Sequence, residues 1–125
     1  SLLPLIRMLH EVYPQFIILI TTGTVSSAKI LDENLPSYAL HQYVPVDRYS
    51  YVRRFLNHWR PELVIFVDSE VWPNYLLEVA KRKIREIFFK NLYIFGYRYF
   101  SLKNEFKRRR PLAPFPLLLL YAGCL

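Results

Sequence analysis

Apolar positions along this chain alternate between two spacings. Leu2, Leu5, Ile6, Leu9, Val12 and Tyr13 recur at a helical period, with Arg7 and Glu11 off the stripe, which predicts an amphipathic helix stopped by Pro14. Phe16, Ile17, Ile18, Leu19 and Ile20 then follow without a polar break. A short run of this kind suits a strand covered on both faces, as in a parallel sheet. Thr21, Thr22, Gly23 and Thr24 interrupt it, and residues 26–35 can form a second helix.

The same cycle then repeats. Residues 40–44 read as a short strand ended by Pro45. A helix follows, with Tyr51, Val52, Phe55, Leu56 and Trp59 as its apolar positions and Asp47 as its expected cap. Pro61 closes that helix, and residues 63–67 form a second fully apolar run. Pro73 suits the first turn of another helix, which carries Leu76, Val79 and Ala80 and ends in Lys81, Arg82 and Lys83. Residues 84–89 can add one more strand. Helices and strands alternating through short connections predict an α/β fold, a doubly wound, Rossmann-like parallel sheet. The strands at 17–19, 40–44 and 63–67 are expected to be parallel neighbours.

Composition separates the last third from the rest. Of the 17 Lys and Arg and 10 Asp and Glu, residues 1–83 hold nine and eight, whereas residues 84–125 hold eight and two. The formal charge of +7 therefore resides almost wholly in the last 42 residues, which also contain ten of the 21 aromatic residues. Residues 92–106 show no clear period, and Lys107, Arg108, Arg109 and Arg110 form a positive run. Prolines follow at 111, 114 and 116, and then an apolar stretch from 117 to 122. This tail is too short to cross a bilayer as a helix, which takes about 20 residues. It is expected to pack poorly on the sheet. The single cysteine, Cys124, excludes an internal disulfide framework and a Cys-rich zinc site.

In a doubly wound sheet, ligands bind beyond the carboxyl ends of the strands. Two polar loops are predicted there. Thr22, Gly23 and Thr24 offer hydroxyls and a small residue beside a helix N-terminus, fit either to receive a phosphate or a sugar or simply to turn and cap the chain. There is no nucleotide P-loop and no G-x-G-x-x-G fingerprint. The second loop places Asp68 and Glu70 two residues apart, followed by Trp72, Pro73 and Asn74. Carboxylates at this edge can bind sugar hydroxyls or take a proton, and the indole can supply a flat wall; capping and packing are the alternative. No metal is expected, because no His or third acid completes a site. Arg53 and Arg54 can meet phosphate groups or remain solvated on their helix. His10, His41 and His58 lack ligand spacing and read as solvent-facing or internally satisfied.

Several of these residues together resemble a known family. Leu3-Pro4-Leu5-Ile6, Tyr13-Pro14, Thr21-Thr22-Gly23-Thr24, His41-Gln42-Tyr43-Val44-Pro45-Val46-Asp47, Arg54-Phe55-Leu56, Pro61 and Glu70-Val71-Trp72-Pro73-Asn74 occur in the order found in the N-terminal domain of bacterial 3-deoxy-D-manno-octulosonic acid (Kdo) transferases. The last motif, with the histidine-to-aspartate segment upstream, is the specific part. The resemblance implies the N-terminal half of a glycosyltransferase-B fold, which takes the lipid A precursor at the cytoplasmic face of the inner membrane. A C-terminal domain would bind the donor, CMP-Kdo. It implies no cofactor or metal, the membrane surface as a partner and no nucleic acid. Glu70 matches the second acid of the family's Glu-x-Glu-x-Trp-Pro-Asn motif, which implies a stabilising or positioning role in catalysis. Thr22, Gly23, Thr24, Arg54, Asp68, Trp72 and Asn74 become the expected substrate-binding set, with Asp68 in place of the family's first glutamate.

The chain also departs from the family's pattern. The family's catalytic glutamate falls before the position matching Ser1, and the Asn-Ala-Arg-x-Ser stretch expected after Ile84 is absent. Lys, Asn, Phe, Tyr and Ile, abundant here, are the residues that AT-rich codons yield in a shifted frame. The expected organisation is therefore an acceptor-side domain over residues 1–90, truncated at its N-terminus, and an aberrant, frameshifted tail over 91–125. Such a fragment is expected to be inactive alone; the alternative is a non-catalytic module that binds a membrane surface through its basic tail.

Overall fold

The computed structural model of the chain describes residues 3–67, 72–89 and 117–122. Its elements in chain order are α1 (Leu3–Val12), β1 (Ile17–Thr22), α2 (Val25–Asn34), β2 (Ala39–Tyr43), α3 (Tyr49–Trp59), β3 (Leu63–Val67), α4 (Pro73–Lys81), β4 (Arg85–Phe89) and β5 (Leu117–Ala122). The strands form one sheet in the order β2-β1-β5-β3-β4, and all its pairings are parallel. The fold is α/β and Rossmann-like, as the spacing of apolar positions predicts.

Alternate residues of the central strands face opposite helical layers. Ile18 and Ile20 of β1, Leu63, Ile65 and Val67 of β3, and Leu118 and Leu120 of β5 pack with Leu5, Ile6 and Leu9 of α1 and Leu31 of α2. On the other face, Leu19, Val64, Phe66, Leu117, Leu119 and Tyr121 pack with Val52 and Leu56 of α3 and Tyr75 and Val79 of α4. Burial on both faces is why β1 and β3 are apolar without alternation. β2 has a paired neighbour on one side only, and accordingly Leu40 and Tyr43 are exposed.

Two expectations about the sheet need correction. β1 and β2 are neighbours, but β1 and β3 are not, because β5 lies between them. Residues 117–122, expected to pack poorly, form this central strand. Ile17 to Thr21 align with Leu117 to Tyr121 on one side, and Leu63 to Val67 align with Leu118 to Ala122 on the other. The physical reason is their composition. Leu117 to Leu120 and the Tyr121 ring form an unbroken apolar run, and a slot between two parallel strands excludes water from both faces. Residues 90–116, including the basic run, lie outside the described residues.

The helix ends follow local chemistry, with one exception. Thr24 caps α2, its hydroxyl accepting from Ser27 N at 3.3 Å. Pro73 occupies the first turn of α4, where its missing N–H costs nothing. Asp47 does not cap α3; Arg48 holds the N-cap position and makes no side-chain cap bond.

The placement of β5 leads to a stability prediction. Leu119 is fully buried and faces Leu19 and Val64 in register. Leu119→Ala should lower the unfolding free energy by about 2–5 kcal/mol, read from the denaturant midpoint of the whole chain. A change below about 0.5 kcal/mol, typical of a surface substitution, would show that the strand is peripheral.

Candidate functional site

Because every pairing is parallel, Thr22, Tyr43, Val67 and Ala122 all end their strands at one edge of the sheet. The β1–α2 loop leaves from this edge, and α4 begins there with Trp72 and Pro73. The two acids expected to work here, Asp68 and Glu70, lie outside the described residues. Their flanking neighbours, Val67 and Trp72, are part of the edge.

The side chains of the β1–α2 loop are largely engaged within the fold. Thr22 is fully buried, and its Oγ1 lies 2.8 Å from His41 Nε2. Thr24 donates its hydroxyl to Ser27 Oγ at 2.7 Å while accepting from Ser27 N. Gly23 and Ser26 are exposed. The loop therefore offers a ligand its backbone at Gly23 and the hydroxyl of Ser26 more readily than the two threonine side chains.

Asn74 is also held by the fold. Its backbone N–H donates to Asp47 Oδ2 at 3.3 Å, and Tyr75 N–H donates to Asp47 Oδ1 at the same distance. The Asn74 amide adds a bond from Nδ2 to the Asp47 carbonyl at 2.9 Å. The residue expected to cap α3 thus caps α4, 27 positions away, and neutralises two orphan N–H groups at the positive end of that helix. Trp72 is half-buried, with its indole edge-on to Tyr121 at 6.4 Å between ring centroids. Arg54 stands on the outer side of α3, in an open groove of about 540 Å3 that it lines with Tyr49, Ser50, Arg53 and Asn57. Tyr49 there lies 5.4 Å from both Arg53 and Lys81, within cation–π range.

Beneath the edge, on the α3–α4 side, is a layer of aromatic rings. Tyr75 packs 5.1 Å from Tyr121 and 6.0 Å from Phe55. Burial, Tyr121 and the Asp47 carboxylate together push the Tyr75 phenol well above its ordinary range. The Tyr75 hydroxyl and Thr21 Oγ1 are buried and find no hydrogen-bond partner among the described residues. No group of three or more His, Cys, Asp or Glu among the described residues could hold a metal ion. No described helix is long and apolar enough to cross a membrane.

Residue-by-residue reading of the sequence missed the roles of Asp47 and His41, both of which act on segments distant in the chain. The signal available was their place in one segment, His41 to Asp47, that accompanies the Trp72-Pro73-Asn74 motif.

Two substitutions test these assignments. Asp47→Ala should cost about 1 kcal/mol of stability, the usual size of a lost cap, and Asp47→Asn less, because an amide oxygen still accepts. Tyr75→Phe should leave stability at neutral pH unchanged or raised, since the hydroxyl it removes has no hydrogen-bond partner among the described residues. The sign with pH is also fixed. A phenol whose pKa is raised by folding loses its stabilising contribution as pH climbs above about 10, where unfolded tyrosine ionises. Denaturant midpoints between neutral pH and pH ~11 should therefore fall more steeply for the parent chain than for Tyr75→Phe; parallel curves would disprove the burial of this phenol.

Comparison with known proteins extends these observations. The family described as 3-Deoxy-D-manno-octulosonic-acid transferase (kdotransferase) matches residues 1–90. The 3-deoxy-D-manno-octulosonic acid transferase of Rickettsia conorii is 45% identical over 80 residues, covering 64% of this chain and 17% of that protein. A probable mitochondrial 3-deoxy-D-manno-octulosonic acid transferase of Arabidopsis thaliana is 40% identical over 78 residues, 62% of this chain and 17% of its own length. The Haemophilus influenzae transferase is 32% identical over 81 residues, 65% of this chain and 19% of its own. The chain thus spans less than a fifth of the length of these curated relatives. No solved structure matches it. The match over residues 1–90, across the α/β core and the Trp72-Pro73-Asn74 helix start, shows that the chain belongs to the Kdo transferase family, in the region of its N-terminal domain.

Proposed function

We propose that this chain is the acceptor-side part of a glycosyltransferase that moves Kdo from CMP-Kdo onto a lipid A precursor in lipopolysaccharide biosynthesis, at the cytoplasmic face of the inner membrane. The observation that carries the reading is the family match over residues 1–90. It is supported by the tie between the two most specific motifs, since Asp47 closes one and Asn74 closes the other and they hydrogen-bond directly.

In this reading the carboxyl edge of the sheet receives the acceptor sugar. Glu70 stabilises or positions the reacting groups, Asp68 orients a hydroxyl or a basic neighbour, and Trp72 forms an apolar wall. Gly23 and its neighbours Thr22 and Thr24 shape the opposite side, and Arg54 meets a phosphate of the lipid. The donor binds a second domain, and a glutamate upstream of the position matching Ser1 removes the proton from the acceptor hydroxyl as the new bond forms with inversion. Catalysis requires these groups in fixed relation across a cleft, so the chain of 125 residues does not turn over alone.

The test is to mix the purified chain with CMP-Kdo and a lipid A precursor, with an intact transferase as positive control. Saturable binding of the precursor and no transfer are expected. Repeated turnover by the chain alone would overturn its assignment as an inactive part. If the folded chain bound plain anionic vesicles as tightly as vesicles carrying the precursor, a non-catalytic membrane-surface module would replace the acceptor-side reading.

A further inference from the structure

Two elements converge on His41 of β2. Thr22, the last residue of β1, presents Oγ1 to Nε2 at 2.8 Å. Asp32, on the last half of α2, presents Oδ1 to Nδ1 at 3.4 Å. The imidazole is 8% exposed and the Asp32 carboxylate 62%. An ionised carboxylate only accepts hydrogen bonds, so the favourable arrangement puts the ring proton on Nδ1. In the neutral ring Nε2 is then the acceptor, and the Thr22 hydroxyl must donate to it. With that tautomer the three side chains form a hydroxyl–imidazole–carboxylate row.

We propose that His41, oriented by Asp32, is a positioning residue that fixes Thr22 and the β1–α2 loop at the carboxyl edge of the sheet. Thr22 is fully buried, so the chain of bonds holds the loop instead of making Thr22 a nucleophile. The loop is clamped from both ends. Val44 N–H donates to the Thr22 carbonyl at 2.9 Å, and at the far end Ser27 and Ala28 donate to Thr24. Between Thr22 and Thr24, Gly23 is exposed.

The experiment uses the full chain and no Kdo chemistry, so its failure and the failure of the proposed function are separable. Long-range nitrogen–proton correlation NMR, recorded with the imidazoles neutral, should show His41 protonated on Nδ1, the reverse of the form that predominates in free histidine. An Nε2–H ring would overturn the proposal outright, and this reading needs no variant. In His41→Phe, hydrogen exchange at the amides of Val44, Ser27 and Ala28 should accelerate about tenfold while the β3 amides are unchanged. Asp32→Asn, which keeps an acceptor, should retain the Nδ1–H form and slow exchange, whereas Asp32→Ala should lose both. Unchanged exchange in a folded His41→Phe, or equal behaviour of the two Asp32 variants, would show that the contacts are incidental.

Discussion

Everything else in this fold depends on the sheet being continuous between β1 and β3, and β5 alone makes it so. Those two strands do not pair with each other; each pairs with Leu117–Ala122. With that slot empty, two rows of backbone N–H and C=O groups would be buried between helical layers without partners, at a cost that no side-chain packing offsets. The strand order is that of a doubly wound sheet in which β5 takes the position of the first strand, β1 and β2 extend to one side, and β3 and β4 extend to the other. The helices follow the same division, with α1 and α2 on one face and α3 and α4 on the other. The point where the winding reverses is therefore built from a segment remote in sequence from the strands it joins.

Much of this was legible along the chain, and the parts that were not share a cause. β1 and β3 are unbroken apolar runs bounded by turn residues, and α1 and α4 carry clear apolar stripes with a proline at the stop of one and the start of the other. Such signals are local, and local rules read them. The slot of β5 is not local. A run of leucines after three prolines and four cations looks like a stray hydrophobic tail, and nothing in its spacing says that two parallel strands lack a common neighbour. Asp47 shows the same limit at one residue. Its position just before a helix satisfies the capping rule, yet the nearer demand in space came from the unsatisfied N–H groups of α4.

The candidate site was legible in place but only partly in detail. Loops after β1 and before α4 were expected at one edge of the sheet, and the parallel topology puts the described parts of both there. What a residue type suggests and what it does differ, however. Threonine and asparagine at such an edge suggest ligand contacts, whereas the Thr22, Thr24 and Asn74 side chains are bonded to His41, Ser27 and Asp47. A buried hydroxyl or amide is held in place by an internal partner, and that partner was 19 residues away for Thr22 and 27 for Asn74.

These internal bonds have a common origin. His41 belongs to β2, and Asp47 follows it after a few residues, so a single stretch at the sheet's edge reaches both the β1–α2 loop and the start of α4. The first lies on the β1 side of β5 and the second on the β3 side. An edge strand contributes little to the core, and β2 buries only Ala39 fully. Its polar His41 bonds to the end of β1, and Asp47 beyond its end bonds to the start of α4. The His41-to-Asp47 segment and the Trp72-Pro73-Asn74 helix start are thus joined through Asp47 and Asn74, so the two sides of the crevice are tied together without any residue of β2 having to touch a ligand.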